Sequence, residues 1–109
     1  MLKVKVNLDL RQQIEKLLDF AYFTIRALEL YDSVRSNTTR ELLLAELHQR
    51  YRNLSELTSL KRFQAHTSLL MRVVSEISSR PEHVEAGIEC AEQLISSIER
   101  VLLSELNEN

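Results

Sequence analysis

Five glutamates on one arc of the last predicted helix come closest to the type and spacing of a metal site. They follow one another at intervals of three, four, three and seven residues: Glu82, Glu85, Glu89, Glu92 and Glu99. Stacked carboxylates can ligate Mg²⁺ or Ca²⁺ when a second helix supplies further carboxylates at the same depth. The second predicted helix offers Glu41 and Glu46, which are five residues apart and lie on different sides of it. The pattern therefore favours a solvated charged face, and no metal is predicted.

His66, in the segment FQAHTSLLMR, is the best candidate for a reactive group, because it falls within the apolar arc of the third predicted helix. The segment resembles histidine phosphotransfer domains, which are four-helix bundles that present a histidine on a helix. That family follows its histidine with a lysine and a glycine, whereas Ser68, Leu69, Leu70 and Met71 follow here. Phosphotransfer through His66 is thus the lesser alternative to an inward histidine that makes one hydrogen bond.

The other residues that could do chemistry lack partners in the sequence pattern. His48 and His83 lie on different predicted helices, and Cys90 falls away from the main apolar stripe of its helix. The sequence contains no C-x-x-C, H-E-x-x-H, G-x-G-x-x-G or P-loop motif. Gly87, the single glycine, lies inside a predicted helix, where it suits close helix packing. We therefore predict no catalytic residue, no cofactor and no enzymatic activity.

The composition is that of one folded domain spanning residues 1–109. Hydrophobic residues make up 44% and charged residues 28%, with one glycine and one proline, a profile that fits a helical globular protein. The formal charge of −2 gives no general attraction to nucleic acid or to an anionic membrane. A single cysteine fits a reducing compartment, and no apolar run approaches the roughly 18 residues of a membrane span. We expect a cytoplasmic protein with no membrane partner.

The first nine residues have the alternation of a β-strand. Leu2, Val4, Val6 and Leu8 alternate with Lys3, Lys5, Asn7 and Asp9, and a period of two places the apolar set on one face. The sequence therefore predicts a strand or an extended arm over residues 1–9.

From Leu10 onward the apolar spacing changes to three and four, which predicts helices over about 10–33, 39–56, 59–79 and 81–106. Thr38 and Glu41 have the spacing of a capping box for the second helix. The apolar stripe changes sides between Leu54 and Phe63, which indicates a tight turn near residues 55–59. The predicted fold class is mainly all-α: an up-and-down four-helix bundle with short turns, preceded by the strand or arm.

The first predicted helix carries apolar residues on a second side as well as on its main stripe: Phe20, Phe23, Ala27 and Leu30. A strand without a second strand, next to a helix with a surplus apolar face, points to a homodimer or to strand addition by another protein. The predicted interface combines this helix face with the apolar strand positions Leu2, Val4, Val6 and Leu8. The alternative is that residues 2–8 form an arm along the protein's own helices.

The segment VNLDLRQQIEKLLDFA followed by TTRELLLAELHQRY resembles the ribbon-helix-helix DNA-binding family in its order of strand, helix and capped helix. The resemblance covers about the first fifty residues and implies a dimer whose two-stranded ribbon enters the major groove. In such a ribbon Lys3, Lys5 and Asn7 would face the bases. A DNA-binding regulator is therefore the alternative function.

The function that the sequence favours is a non-enzymatic protein–protein interaction module, acting as an adaptor, chaperone-like protein or regulator. Its expected partners are a second copy of the chain, another protein, or both. No small-molecule substrate is indicated.

Overall fold

Four α-helices make up the fold in the computed structural model, which describes residues 2–55 and 57–107, with side chains for residues 10–55, 57 and 60–104. They are α1 (Leu2–Ser33), α2 (Asn37–Leu54), α3 (Gln64–Glu76) and α4 (His83–Asn107). A 3₁₀ turn, Thr58–Lys61, lies between α2 and α3. No strand occurs in these residues, so the all-α fold class is confirmed.

The strand predicted for residues 1–9 is wrong for residues 2–9, which form the first turns of α1, while Met1 lies outside the described residues. A helix satisfies its backbone N–H and C=O groups within the segment, whereas a strand needs a neighbour to do so. Once residues 10–33 are helical, each further residue adds a hydrogen bond without a new nucleation cost. Leucine and lysine are good helix formers, and each valine costs only about half a kcal/mol.

α2 runs antiparallel to α1. The Phe20 and Tyr51 rings, whose centroids are 6.2 Å apart, join the middle of α1 to the end of α2. Near the other end of the pair, Arg40 Nε donates to the Tyr31 carbonyl at 3.1 Å. This bond satisfies one of the C-terminal carbonyls that a helix leaves without an intrahelical partner.

The connection between α1 and α2 is short because α2 has its own cap. The Ser36 hydroxyl accepts a hydrogen bond from the Thr39 backbone N–H at 3.3 Å, and Ser36 has the extended backbone of an N-cap residue. The capping box predicted on Thr38 is therefore two residues too late, and Thr38 lies within the first turn of the helix.

The reversal between α2 and α3 falls where the apolar stripe changes sides. Successive three-residue hydrogen bonds step through it: Leu57 N–H to the Leu54 carbonyl at 2.9 Å, and Phe63 N–H to the Leu60 carbonyl at 3.1 Å. Leu54 and Phe63 are both buried. The turn contains no glycine or proline, and its apolar residues Leu57 and Leu60 pack against the core.

α4 runs antiparallel to α3. His66 near the start of α3 lies beside Ser97 in the second half of α4, while Val73 and Ile77 lie near Gly87. Ser78, just past α3, lines one groove with Tyr31 at the end of α1. The C-terminal ends of α1 and α3 therefore lie together, and α4 also runs antiparallel to α1.

The helices enclose one elongated core, and the molecule measures 51 × 21 × 19 Å. Buried threonines in α1 and α3 satisfy their hydroxyls within their own helices, with Thr24 donating to the Phe20 carbonyl at 2.7 Å and Thr67 to the Phe63 carbonyl at 3.2 Å. The most deeply buried apolar side chains come from all four helices: Ile14, Leu17, Leu28, Leu47, Leu70, Val74, Leu94 and Ile98.

Candidate functional site

The surplus apolar face predicted on the first helix is largely covered within one chain. Phe20 and Ala27 are 3% and 4% exposed, whereas Leu30 is 47% exposed and Phe23 is partly buried. The prediction that Phe20 and Ala27 face a partner is wrong, because α1 packs against both α2 and α4. A helix with two neighbours needs a wider apolar arc than a surface helix with one.

Two arginines of α2 cover aromatic rings of α1. The Arg50 guanidinium carbon lies 3.8 Å from the centroid of the Phe23 ring, and that of Arg40 lies 4.9 Å from the Tyr31 centroid. Arg50 also donates to Glu46 Oε1 at 3.0 Å. A cation above a ring face is attracted by the ring quadrupole. The outer face of Phe23 is therefore covered by Arg50 of the same chain.

The remaining predicted interface residues are the four apolar positions at the start of α1. The side chains of Leu2, Val4, Val6 and Leu8 lie outside the described residues, as do those of Lys3, Lys5 and Asn7. The backbone of all seven residues is helical. A ribbon in the major groove requires extended strands, so the structural basis of the ribbon-helix-helix interpretation is wrong.

His66 forms a polar contact between α3 and α4. Its Nε2 lies 3.1 Å from Ser97 Oγ in a partly buried position. The contact occupies the ring nitrogen with a hydroxyl on the neighbouring helix, which agrees with a histidine that makes one hydrogen bond. Phosphotransfer would require a nitrogen of this ring to be free for a phosphate donor, and it stays a prediction.

The remaining histidine and cysteine positions show little sign of reactivity. His83 Nδ1 lies 3.2 Å from Glu76 Oε2, but the geometry is not that of a hydrogen bond. Burial, and secondarily the negative charge of Glu89, raises the pKa of the Cys90 thiol above its ordinary value. A raised pKa keeps the thiol protonated at neutral pH, which is the opposite of an activated nucleophile.

The glutamates of α4 are exposed carboxylates on the outer side of the helix. Among the residues with described side chains, no ion pair involves Glu85, Glu89, Glu92 or Glu99, and no group of three metal ligands occurs there. Three of them share one face at intervals of seven residues, namely Glu85, Glu92 and Glu99.

Three residues after each of these glutamates stands an aliphatic residue of α4: Ile88, Ile95 and Leu102. At 100° per residue this row lies on the flank opposite Ser97, which faces α3 through His66. It therefore faces α1. Ile95 is 7% exposed, while Ile88 and Leu102 are partly buried against the core.

α1 has a similar row of aliphatic residues on the side that faces α4. Phe20 and Phe23 lie toward α2, so Leu18 and Ile25 fall on the opposite flank, toward α4. Both are partly buried against the core. Three residues before each stand Glu15 and Tyr22.

We call the row formed by Leu18, Ile25, Ile88, Ile95 and Leu102 the α1–α4 seam. Two strongly exposed apolar residues adjoin it, Tyr22 at 52% and Leu103 at 60%. The apolar spacing of three and four that predicts the helices includes Leu18, Ile25 and the α4 aliphatics without distinguishing them from the core, and Tyr22 falls outside it. The signal that could have revealed the seam is the shared interval of seven residues, with a carboxylate or tyrosine three places before each aliphatic residue.

Comparison with known proteins gives no relative: no family model matches the chain, and neither the curated proteins nor the solved structures contain a significant match. Within the described residues, every helix is too short or too polar to traverse a lipid bilayer.

Proposed function

We propose that the protein is a non-enzymatic protein–protein interaction module, built as an up-and-down four-helix bundle and acting in the cytoplasm as an adaptor or regulator. The observation that carries this proposal is the α1–α4 seam, in which Leu18, Ile25, Ile88 and Leu102 are partly buried beside the exposed side chains of Tyr22 and Leu103. Apolar anchors surrounded by polar residues are the usual composition of a protein interface.

Self-association is a second part of the proposal and uses a different surface. Leu30 is 47% exposed and lines a shallow groove with Arg26, Glu29 and Ser33. Leu30 itself lies on the side of α1 toward α2, while Arg26 and Glu29 stand between it and the seam. A homodimer centred on Leu30 leaves the apolar row of the seam available to another protein. Sedimentation of the wild type against Leu30→Ser tests this part, and a monomeric wild type would contradict it.

Capture from native cells tests the module itself. The full chain should retain a stoichiometric protein partner, and Tyr22→Ser with Leu103→Ser should lose it because the apolar anchors are gone. The matched control is Leu42→Ser with Leu69→Ser, which removes side chains that are 65% and 48% exposed on α2 and α3.

Absence of any stoichiometric partner would overturn the proposed function. If the partner is lost only in the Leu42→Ser and Leu69→Ser variant, the proposed module is supported and its interface lies on the α2–α3 side. Circular dichroism of each variant separates a lost contact from a lost fold.

A further inference from the structure

We propose that the α1–α4 seam receives a basic amphipathic helix of a partner protein. This inference rests on the proposed function and adds to it the chemistry of the partner. It follows from the shape of the apolar row and from the charges that border it.

The apolar row has the geometry that a helix fits. Leu18 and Ile25 on α1 are seven residues apart, and Ile88, Ile95 and Leu102 follow one another at intervals of seven on α4. Two antiparallel helices thus carry apolar rows side by side at the edge of the core. A third helix laid along these rows meets them with side chains spaced three, four and seven residues apart. Tyr22 stands at the edge of the row as an exposed aromatic anchor.

The border of the seam selects the charge of the partner. Five carboxylates border the seam. Four of them precede an aliphatic residue of the seam by three positions: Glu15, Glu85, Glu92 and Glu99. Glu29 lies one helical turn after Ile25 on the same face of α1. All five are exposed, and none makes an ion pair with another residue whose side chain is described. Arg11 and Arg26 are the cations on this side of α1. The border therefore has a net negative charge that lysines or arginines of a partner would complement.

The charge distribution along the chain agrees with this choice. Residues 82–109 contain seven acidic residues and one basic residue, whereas residues 34–81 contain eight basic and four acidic residues. The first segment includes α4, and the second includes α2 and α3. The negative charge is thus concentrated on the helix that forms one wall of the seam.

A second copy of the chain is a poorer occupant of the same seam. A two-fold contact through it would bring the α4 carboxylates toward the carboxylates of the other copy, and like charges placed together disfavour association. A basic helix avoids that repulsion and covers the same apolar row.

Binding of a model peptide tests the inference. The probe is a fluorescein-labelled peptide of about 21 residues with leucine at the a and d positions and lysine at e and g. Fluorescence anisotropy should show binding to the full chain that weakens as salt rises from about 50 to about 300 mM. An otherwise identical peptide with glutamate in place of lysine should not bind.

Two triple variants with the same change in net charge localise the binding. Glu85→Gln with Glu92→Gln and Glu99→Gln should weaken peptide binding about tenfold, because it neutralises the α4 wall of the seam. The matched control, Glu41→Gln with Glu46→Gln and Glu76→Gln, removes three carboxylates from α2 and α3 and should change the affinity by less than about twofold.

Amide chemical shifts of the labelled protein give an independent readout. On titration with the lysine peptide, the changes should concentrate in residues 15–29 and 85–103. Equal weakening by the two triple variants, binding of the glutamate peptide, absence of binding by the lysine peptide, or shifts centred on α2 would each overturn the inference. The partner-capture experiment stands apart from these outcomes, because a native partner bound elsewhere would preserve the module without the basic helix.

Discussion

Gly87 of α4 and Leu28 of α1 approach each other so closely that a Cβ atom on Gly87 would lie 2.7 Å from Leu28 Cδ1. Leu28 is 0% exposed, so its side chain has little free space into which to move. The only glycine of the chain therefore sets how closely the first and last helices pack. Because the seam residues lie on the same two helices, this contact also sets the spacing between the two walls of the α1–α4 seam.

Gly87→Ala should destabilise the protein although alanine is the better helix former. The propensity gain of about 1 kcal/mol is outweighed by overpacking, which costs about 1–3 kcal/mol. Urea denaturation should therefore show a net loss of about 1 kcal/mol. In a Leu28→Ala background the same substitution should become stabilising, because the clashing methyl group is gone. A gain in stability from Gly87→Ala alone would contradict the close approach.

Arg50→Ala should lower the free energy of unfolding by about 1 kcal/mol, because it uncovers the Phe23 ring and removes the cation above it. The ion pair with Glu46 contributes little, since about half of each side chain is exposed. Glu46→Gln is the matched control and should cost less than about 0.5 kcal/mol in chemical denaturation. Equal losses in the two variants would assign the effect to the ion pair instead.

His66→Ala and Ser97→Ala should each cost about 1 kcal/mol, because either one breaks the polar contact between α3 and α4 and leaves a partner unsatisfied. The double variant should lose less than the sum of the two, with a coupling of about 0.5–1.5 kcal/mol. Incubation with a small phosphate donor tests the alternative role of His66. Acid-labile phosphate on this residue would support phosphotransfer.

Alkylation of Cys90 should require a higher pH than alkylation of a cysteine in a short peptide, because burial and Glu89 raise the pKa of this thiol. Glu89→Gln should move the alkylation profile toward lower pH, while Glu99→Gln should leave it in place. The folded chain holds its proton at pH values where the unfolded chain has released it. This group therefore makes stability fall as pH rises above the ordinary thiol pKa, and a rise there would contradict the assignment.

The helices after residue 10 and much of the core could be predicted from the sequence, because apolar residues at intervals of three and four are typical of one face of a helix. Ile14, Leu17 and Leu28 illustrate this, since all three lie on the predicted stripe or beside it and are almost fully buried. The beginning of α2 was predicted less well. Ser36 and Thr38 are both cap residues by type, and only backbone geometry distinguishes them.

The errors arose where one pattern has two physical outcomes. Alternation over residues 2–9 fits a strand, but a helix already begun at residue 10 extends backward at little cost. A second apolar side on a helix meets either a partner or a neighbouring helix of the same chain, and the packing of α2 decided the matter for Phe20. The seam was not predicted for a related reason. Aliphatic side chains at the edge of the core have the same periodicity as those inside it.

Among the described elements, the most extensive helix contact joins α1 to α4, which are the first and last of the four helices in chain order. Leu28 and Gly87 are 59 residues apart along the chain, and synthesis proceeds from the N-terminus. The α4-facing side of α1 consequently remains without its neighbour until α4 has been synthesised. A product terminated prematurely before His83 would contain three of the four helices and still be unable to close its core, which makes it a natural substrate for chaperones and proteases.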